Sequence, residues 1–171
     1  MSPVIIRPES PTDLDGISAV NQLAFAPGHP YSHQTEHLIV DALRDAGALS
    51  VSLVAVLDGA VVGHVALSPG VVGEDSSGWY VLGPLAVLPE RQGTGIGSLL
   101  VDAGLGQLKA RDARGCVLVG DPGYYSRFGF RTFPELVYEG VPGEYVLGLA
   151  LGADAPSGEI RAHEAFLVEG A

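Results

Sequence analysis

One cysteine, one methionine and one tryptophan among 171 residues leave little material for disulfide or soft-metal chemistry. A single thiol cannot close an intramolecular disulfide or furnish a cysteine-rich metal site, and Cys116 sits in CVLV, the context of a core side chain. Basic residues are also scarce. Nine Lys and Arg against twenty Asp and Glu give a net charge of −11, a sign that repels phosphate backbones and anionic lipid, so neither nucleic acid nor a membrane surface is an expected partner. The same charge favours the approach of a cationic amine. Long hydrophobic runs are missing too: the longest uncharged stretch, Gly59 to Gly73, contains Pro69 and falls short of the roughly 20 apolar residues a spanning helix needs. The first residues, MSPVIIRPES, lack the basic region and apolar segment of a secretory leader, so the chain is expected to be cytoplasmic.

What remains is the composition of one ordered domain over residues 1–171, with 47% hydrophobic and 17% charged residues. Val4 to Arg7 reads as a short strand. Leu14, Ile17, Val20, Asn21 and Ala24 recur at helical spacing after Thr12, and a second helical pattern runs from Gln34 to Ala46 beyond the break at Pro27, Gly28 and Pro30. From Val51 the period changes to two. SLVAVL turns at Asp58-Gly59 and returns as AVVGHVALS, the signature of a β-hairpin, and a polar turn, Gly73 to Gly78, leads to a third run, WYVLGPLAVL. Pro84 inside that run cannot donate a ladder hydrogen bond, so the strand should be bulged or released from a neighbour there. A helix from Gly95 to Ala113, the buried-strand candidate CVLVG, a short helix through Tyr124 to Phe128 and a strand through Tyr145 to Ala150 follow. Strand, helix, strand implies a right-handed parallel crossover after an antiparallel meander. Residues 152–171 carry no clear pattern.

The most informative stretch is VLPERQGTGIGSLL, where a strand passes through a glycine-rich turn into a helix. Glycine lets backbone approach a ligand closely, and unpaired N–H groups at a helix start suit an anion such as pyrophosphate. The loop is not a Walker A sequence, because Gly97 meets Ser98 with no lysine, and GTGIG does not have the G-x-G-x-x-G spacing of a dinucleotide fold.

With Gln92, Gly95 and Gly97 in the pattern Q/R-x-x-G-x-G/A, the sequence resembles the GNAT N-acetyltransferase superfamily. VGHVALSP, GPLAVLPE, YYSRFGF and HEAF make it most similar to the YhbS-like group within it. The resemblance implies an α/β (α+β) GNAT fold: a mixed central sheet with an antiparallel N-terminal meander, strands splayed at the cofactor site, and flanking helices. It implies acetyl-CoA as co-substrate and no metal, with pantetheine gripped by Leu85, Ala86 and Val87. Pyrophosphate would lie on the loop of Gln92, Gly93, Thr94, Gly95, Ile96, Gly97 and Ser98. Tyr125, in Y-x-x-x-G-F form with Gly129 and Phe130, takes the position of the group that protonates or hydrogen-bonds the departing thiolate. Where many members carry asparagine seven residues earlier, this chain has Leu118, so no cofactor contact is implied there.

The implied reaction is acetyl transfer to a primary amine of a small molecule or peptide by direct attack on the thioester. An alkylamine of pKa near 10.4 must lose a proton first, and a carboxylate is the usual agent; Glu36, on the second helix, is the candidate. A phenol of pKa about 10 facing a thiol of about 8.5 makes full proton transfer from Tyr125 uphill by roughly 2 kcal/mol, which favours hydrogen bonding. Two other readings remain: an acyl-CoA-binding module without turnover, and a zinc hydrolase in which His33, Glu36 and His37 of HQTEH form an H-x-x-E-H pattern. His64 and His163 read as structural or surface residues. Acceptor identity and oligomeric state, homodimer included, are left open.

Overall fold

The computed structural model describes residues 2–27, 32 and 34–168. The chain opens with β1 (Ile5–Pro8) and a single 3-10 turn, Pro11–Asp13, that leads into α1 (Leu14–Ala24). A capping box built by Ser10 and Asp13 starts this helical segment. The Asp13 carboxylate accepts from the Ser10 amide at 2.7 Å and from Arg7 at 2.7 and 3.0 Å. The Arg7 guanidinium holds its pKa well below the usual carboxylate range. The second helix, α2 (Glu36–Asp45), is shorter than the periodicity predicts because Gln34 adopts a left-handed φ of 58° and ends the helical conformation in front of it.

β2 (Val51–Leu57) and β3 (Ala60–Val72) form the expected hairpin, with Asp58 and Gly59 both at positive φ, 52° and 78°. The next turn is tighter than the sequence suggests. Only Gly73 and Glu74 separate β3 from β4 (Asp75–Val87), and the polar residues Asp75 and Ser77 belong to an exposed strand end rather than to a loop. α3 (Ile96–Ala110), β5 (Gly115–Val119), α4 (Pro122–Tyr125), β6 (Leu136–Val137), β7 (Val146–Ala150) and β8 (Gly158–Arg161) complete the chain. β8 lies within residues 152–171, whose sequence has no clear pattern, and the two-residue β6 was not expected either.

The strands follow the order β1-β2-β3-β4-β5-β7, with β8 joined to β3 and β6. β1 to β3 pair antiparallel, β4 and β5 pair parallel, and β5 and β7 pair antiparallel. This is the mixed GNAT sheet with flanking helices expected from the resemblance. Among the described residues no helix is long and apolar enough to cross a membrane.

By their contacts the residues fall into two compact units. The first comprises Met1–Leu67, Gly83–Gly104 and Glu164–Ala171; the second comprises Ser68–Leu82 and Leu105–His163. In the first, Ile17, Val40 and Val54 pack together, and Ile39, Leu43 and Ala48 pack with Ala165 and Phe166, so HEAF at the chain end seals α2. In the second, Trp79, Cys116, Val117, Leu118, Phe130 and Leu147 are buried. A fully buried Val, Leu, Ile or Phe side chain among them contributes about 1.5–3 kcal/mol relative to exposure. Gly115 makes the Trp79 packing possible, because a Cβ there would overlap the indole ring.

Candidate functional site

The loop between β4 and α3 is built for open backbone. After the 3-10 turn Pro89–Arg91, Gln92 is extended, and Gly93 and Gly95 take left-handed φ values of 78° and 92°. A Cβ at either glycine would meet no heavy atom within 4 Å, so it would project into the space that the loop leaves free. Two side chains tie the loop to itself: Gln92 Nε2 donates to the Val87 carbonyl at 3.0 Å, and the Thr94 hydroxyl donates to the Arg91 carbonyl. Gln92 therefore braces the end of β4 against the loop.

Four N–H groups at an α-helix start have no acceptor within the helix, and the 15-residue α3 places its positive dipole end behind Ile96, Gly97 and Ser98. Its first turn carries no acidic residue. Ile96 is buried and anchors the turn, whereas Gly97 and Ser98 are half-buried. This donor set fits an anion of pyrophosphate type.

On β4, Leu85 and Val87 are half-buried and Ala86 is buried. The parallel ladder to β5 covers Trp79, Tyr80 and Val81 only, so it ends before Pro84 and does not reach Leu85 to Val87. Of the two consequences expected of that proline, a bulge or release from a neighbour, release from β5 is the one that this ladder displays.

Tyr125 closes α4. Asp121 caps this short helix by accepting from the Gly123 amide at 2.9 Å, Pro122 occupies the first turn, and Gly120 leaves room for the Tyr125 ring, whose Cε2 would lie 2.6 Å from a Cβ at that position. Gly-Asp-Pro-Gly is thus the seat of the tyrosine. The ring packs edge-on against Tyr124 and Phe130, with centroid distances of 5.0 and 5.9 Å. Burial, with lesser contributions from Tyr124 and Cys116, pushes its phenol above the ordinary value of 10. Its hydroxyl has no hydrogen-bond partner among the described residues. Tyr124 differs, because Arg127 stacks 4.5 Å from its ring and donates to its carbonyl at 2.9 Å.

Glu36 lies in the first turn of α2, where its carboxylate accepts from the Ser32 hydroxyl at 2.9 and 3.0 Å. His33 of the H-x-x-E-H pattern is outside the described residues, and among the described residues no group of His, Cys, Asp and Glu is placed to hold a metal. Leu118, from which no cofactor contact was expected, is buried. Cys116 is a core thiol pushed above its usual range by burial.

Sequence reasoning missed a buried polar chain. His64 on β3 is fully buried; its Nε2 lies 2.8 Å from the Ser52 hydroxyl and its Nδ1 lies 3.4 Å from Asn21 Nδ2. Ser52 donates to Glu9, which receives Arg44 Nε and Nη2, each at 2.9 Å. Since the serine proton goes to Glu9, His64 must donate through Nε2 and accept at Nδ1, which fixes it neutral in one tautomer. Burial lowers its pKa to about 4; Glu9 opposes that shift and Arg44 adds to it. The chain surfaces at a cavity of about 250 Å³ lined by Pro8, Glu9, Arg44, Gly47, Leu49 and Ser52. The available signal was Asn21, a polar residue on the apolar stripe of α1.

Residues 18–130 match the model of the acetyltransferase (GNAT) family. The chain is 40% identical over 129 residues to the uncharacterized N-acetyltransferase YhbS of Escherichia coli strain K12, covering 74% of this chain and 73% of the relative. It is similar to the crystal structure of a GNAT family acetyltransferase from Brucella melitensis in complex with acetyl-CoA, at 49% identity and a TM-score of 0.85, covering 97% and 99% of the two chains. The crystal structure of E. coli YhbS in complex with CoA gives 32% identity and a TM-score of 0.89, covering 99% and 95%.

Proposed function

The chain belongs to the acetyltransferase (GNAT) family and is an N-acetyltransferase, and from that premise we propose that residues 1–171 act as one cytoplasmic domain transferring acetyl from acetyl-CoA to a primary amine. The observation that carries this reading is the open Gly93–Gly95 loop running into the first turn of α3. Acetyl-CoA, the ligand of the Brucella relative, would supply a thioester carbonyl open to direct attack by the amine.

Backbone N–H groups between Gln92 and Ser98 would hold the pyrophosphate, and the backbone of Leu85, Ala86 and Val87 would pair with pantetheine. Glu36 would accept the amine proton. For that its carboxylate must exchange the Ser32 hydroxyl for the acceptor, giving up a hydrogen bond to a charged group that contributes about 1.5–3 kcal/mol. Tyr125 would stabilise the departing thiolate. Its raised pKa keeps the phenol protonated and makes complete transfer to sulfur still more uphill, so its role is a hydrogen bond that strengthens as charge develops. The acceptor is an amine-bearing small molecule or peptide, and the acidity of the chain favours a cationic one.

The test combines thiol release over an amine panel with calorimetry of CoA binding. Turnover of acetyl-CoA dependent on an added amine, with binding abolished in Gly95→Val, is the expected result. Unchanged affinity in folded Gly95→Val would remove the loop from consideration. Tight binding without turnover on any amine would leave an acyl-CoA-binding module.

A further inference from the structure

β3 changes face partway along its length. Its pairing with β2 runs Ala55↔Gly63 and then Val56↔Val61, so Val62 is the extra residue of a bulge. Val61 and Gly63, two positions apart, would share a face in a regular strand. Instead Val61 packs with Ile17, Val40 and Val54, whereas Gly63 meets the residues of α3. At Gly63 the space for a side chain is already taken. A Cβ would lie 3.0 Å from Leu100 Cδ1, 3.1 Å from Ile96 Cγ2 and 3.3 Å from the Ala86 carbonyl oxygen.

Those atoms belong to the first turns of α3 and to β4, the two segments assigned above to acetyl-CoA. We infer that Gly63 is a positioning residue for the reaction: its missing side chain lets the start of α3 and the Leu85–Val87 segment of β4 settle against one point of β3, which fixes the spacing between the two sets of backbone donors. The inference rests on the proposed cofactor site. Lifting α3 by a few tenths of an ångström costs little packing energy, but it moves donors that must all reach one rigid ligand. Displacements of this kind, remote from the chemistry, reduce function out of proportion to their size.

Gly104 provides the internal comparison. It sits farther along α3, where a Cβ would lie 2.9 Å from Leu67 Cδ1, so crowding is at least as severe but remote from the loop. The experiment measures CoA affinity by calorimetry and the thermal midpoint for Gly63→Ala, Gly104→Ala, Gly95→Val and Gly63→Ala/Leu100→Val. Gly63→Ala is expected to weaken CoA by about tenfold and Gly104→Ala by less than about twofold, with both midpoints lowered. Shortening Leu100 removes the nearest clashing methyl, so the double variant should regain most of the affinity. Equal losses in the two alanine variants, or no loss in Gly63→Ala, would overturn the inference. So would failure of both Gly63→Ala proteins to fold, since the glycine would then serve the fold alone. Wild-type affinity in Gly95→Val is a different failure, because it would withdraw the cofactor site itself.

Discussion

His64 and Tyr125 are both pushed towards their uncharged forms by burial, yet their surroundings treat them in opposite ways. Both nitrogens of His64 are engaged, by Ser52 and Asn21, and the chain continues to Glu9 and Arg44. The hydroxyl of Tyr125 has ring neighbours but no hydrogen-bond partner among the described residues. A buried polar group that is satisfied stabilises one arrangement and has nothing left to offer a ligand. A half-buried hydroxyl whose hydrogen-bonding capacity is unused stays available to a reacting atom. A shifted pKa alone does not distinguish these roles; the hydrogen-bond count does.

The largest expected effect is the dependence of stability on acid through His64. Its folded pKa of about 4 lies below the ordinary 6.5, so between those values the unfolded chain binds more protons and stability falls as pH falls. At 1.36 kcal/mol per pH unit the full loss is about 3 kcal/mol. Most of it comes before Glu9 and Asp13, whose pKa values are held low, begin to protonate and withdraw their own contributions. Urea unfolding between pH 7 and pH 4.5 should show this slope in the wild type and not in His64→Gln. A slope that survives the substitution would place the titration elsewhere.

Next is Tyr125→Phe, which keeps the ring and removes the hydroxyl. It should reduce kcat by about 10²-fold with little change in CoA affinity, the loss expected when one hydrogen-bond donor to developing charge is removed. Because the phenol is raised above 10, any alkaline limb of kcat due to Tyr125 should lie above pH 10 and vanish in the variant. Near-wild-type turnover on a true acceptor would return Tyr125 to a packing role.

Ser52→Ala should cost about 1–2 kcal/mol of stability, since it leaves the Nε2 proton of His64 without its acceptor. Its kcat should stay near wild type. A matching loss of activity would link the polar chain to turnover and dissolve the contrast with Tyr125. The smallest effect is expected for Tyr124→Phe, whose ring keeps its contact with Arg127: kcat within about twofold of wild type, measured beside Tyr125→Phe, sharpens the assignment to one tyrosine.

Much of this was legible in the chain. The Asp58-Gly59 hairpin, the helix beginning just after Gly95, the parallel crossover and the release of β4 near Pro84 all express local rules of backbone sterics and period. Leu118 was visible as a departure from the family pattern, whereas the Gly-Asp-Pro-Gly that begins two residues on carried no signal in the sequence. Its use became clear when Gly120 was found beneath the Tyr125 ring and Asp121 at the head of α4. β6 and β8 escaped notice because two- and four-residue strands are too short for alternation to register.

By itself the sequence determined the order and type of the main elements, the glycine loop with its helix start, and the resemblance that names the reaction, because each is carried by residues adjacent in the chain. Tertiary structure alone decided which face each side chain of β3 meets. Simple alternation puts Val61 and Gly63 together, and the bulge at Val62 sends one to the core beside α1 and the other beneath α3. It also decided that His64 is neutral, since its partner Ser52 donates its hydroxyl hydrogen bond to Glu9, 43 positions away, which Arg44 holds in turn. Local periodicity can show that a residue is buried, but only the folded chain determines which partners await it there.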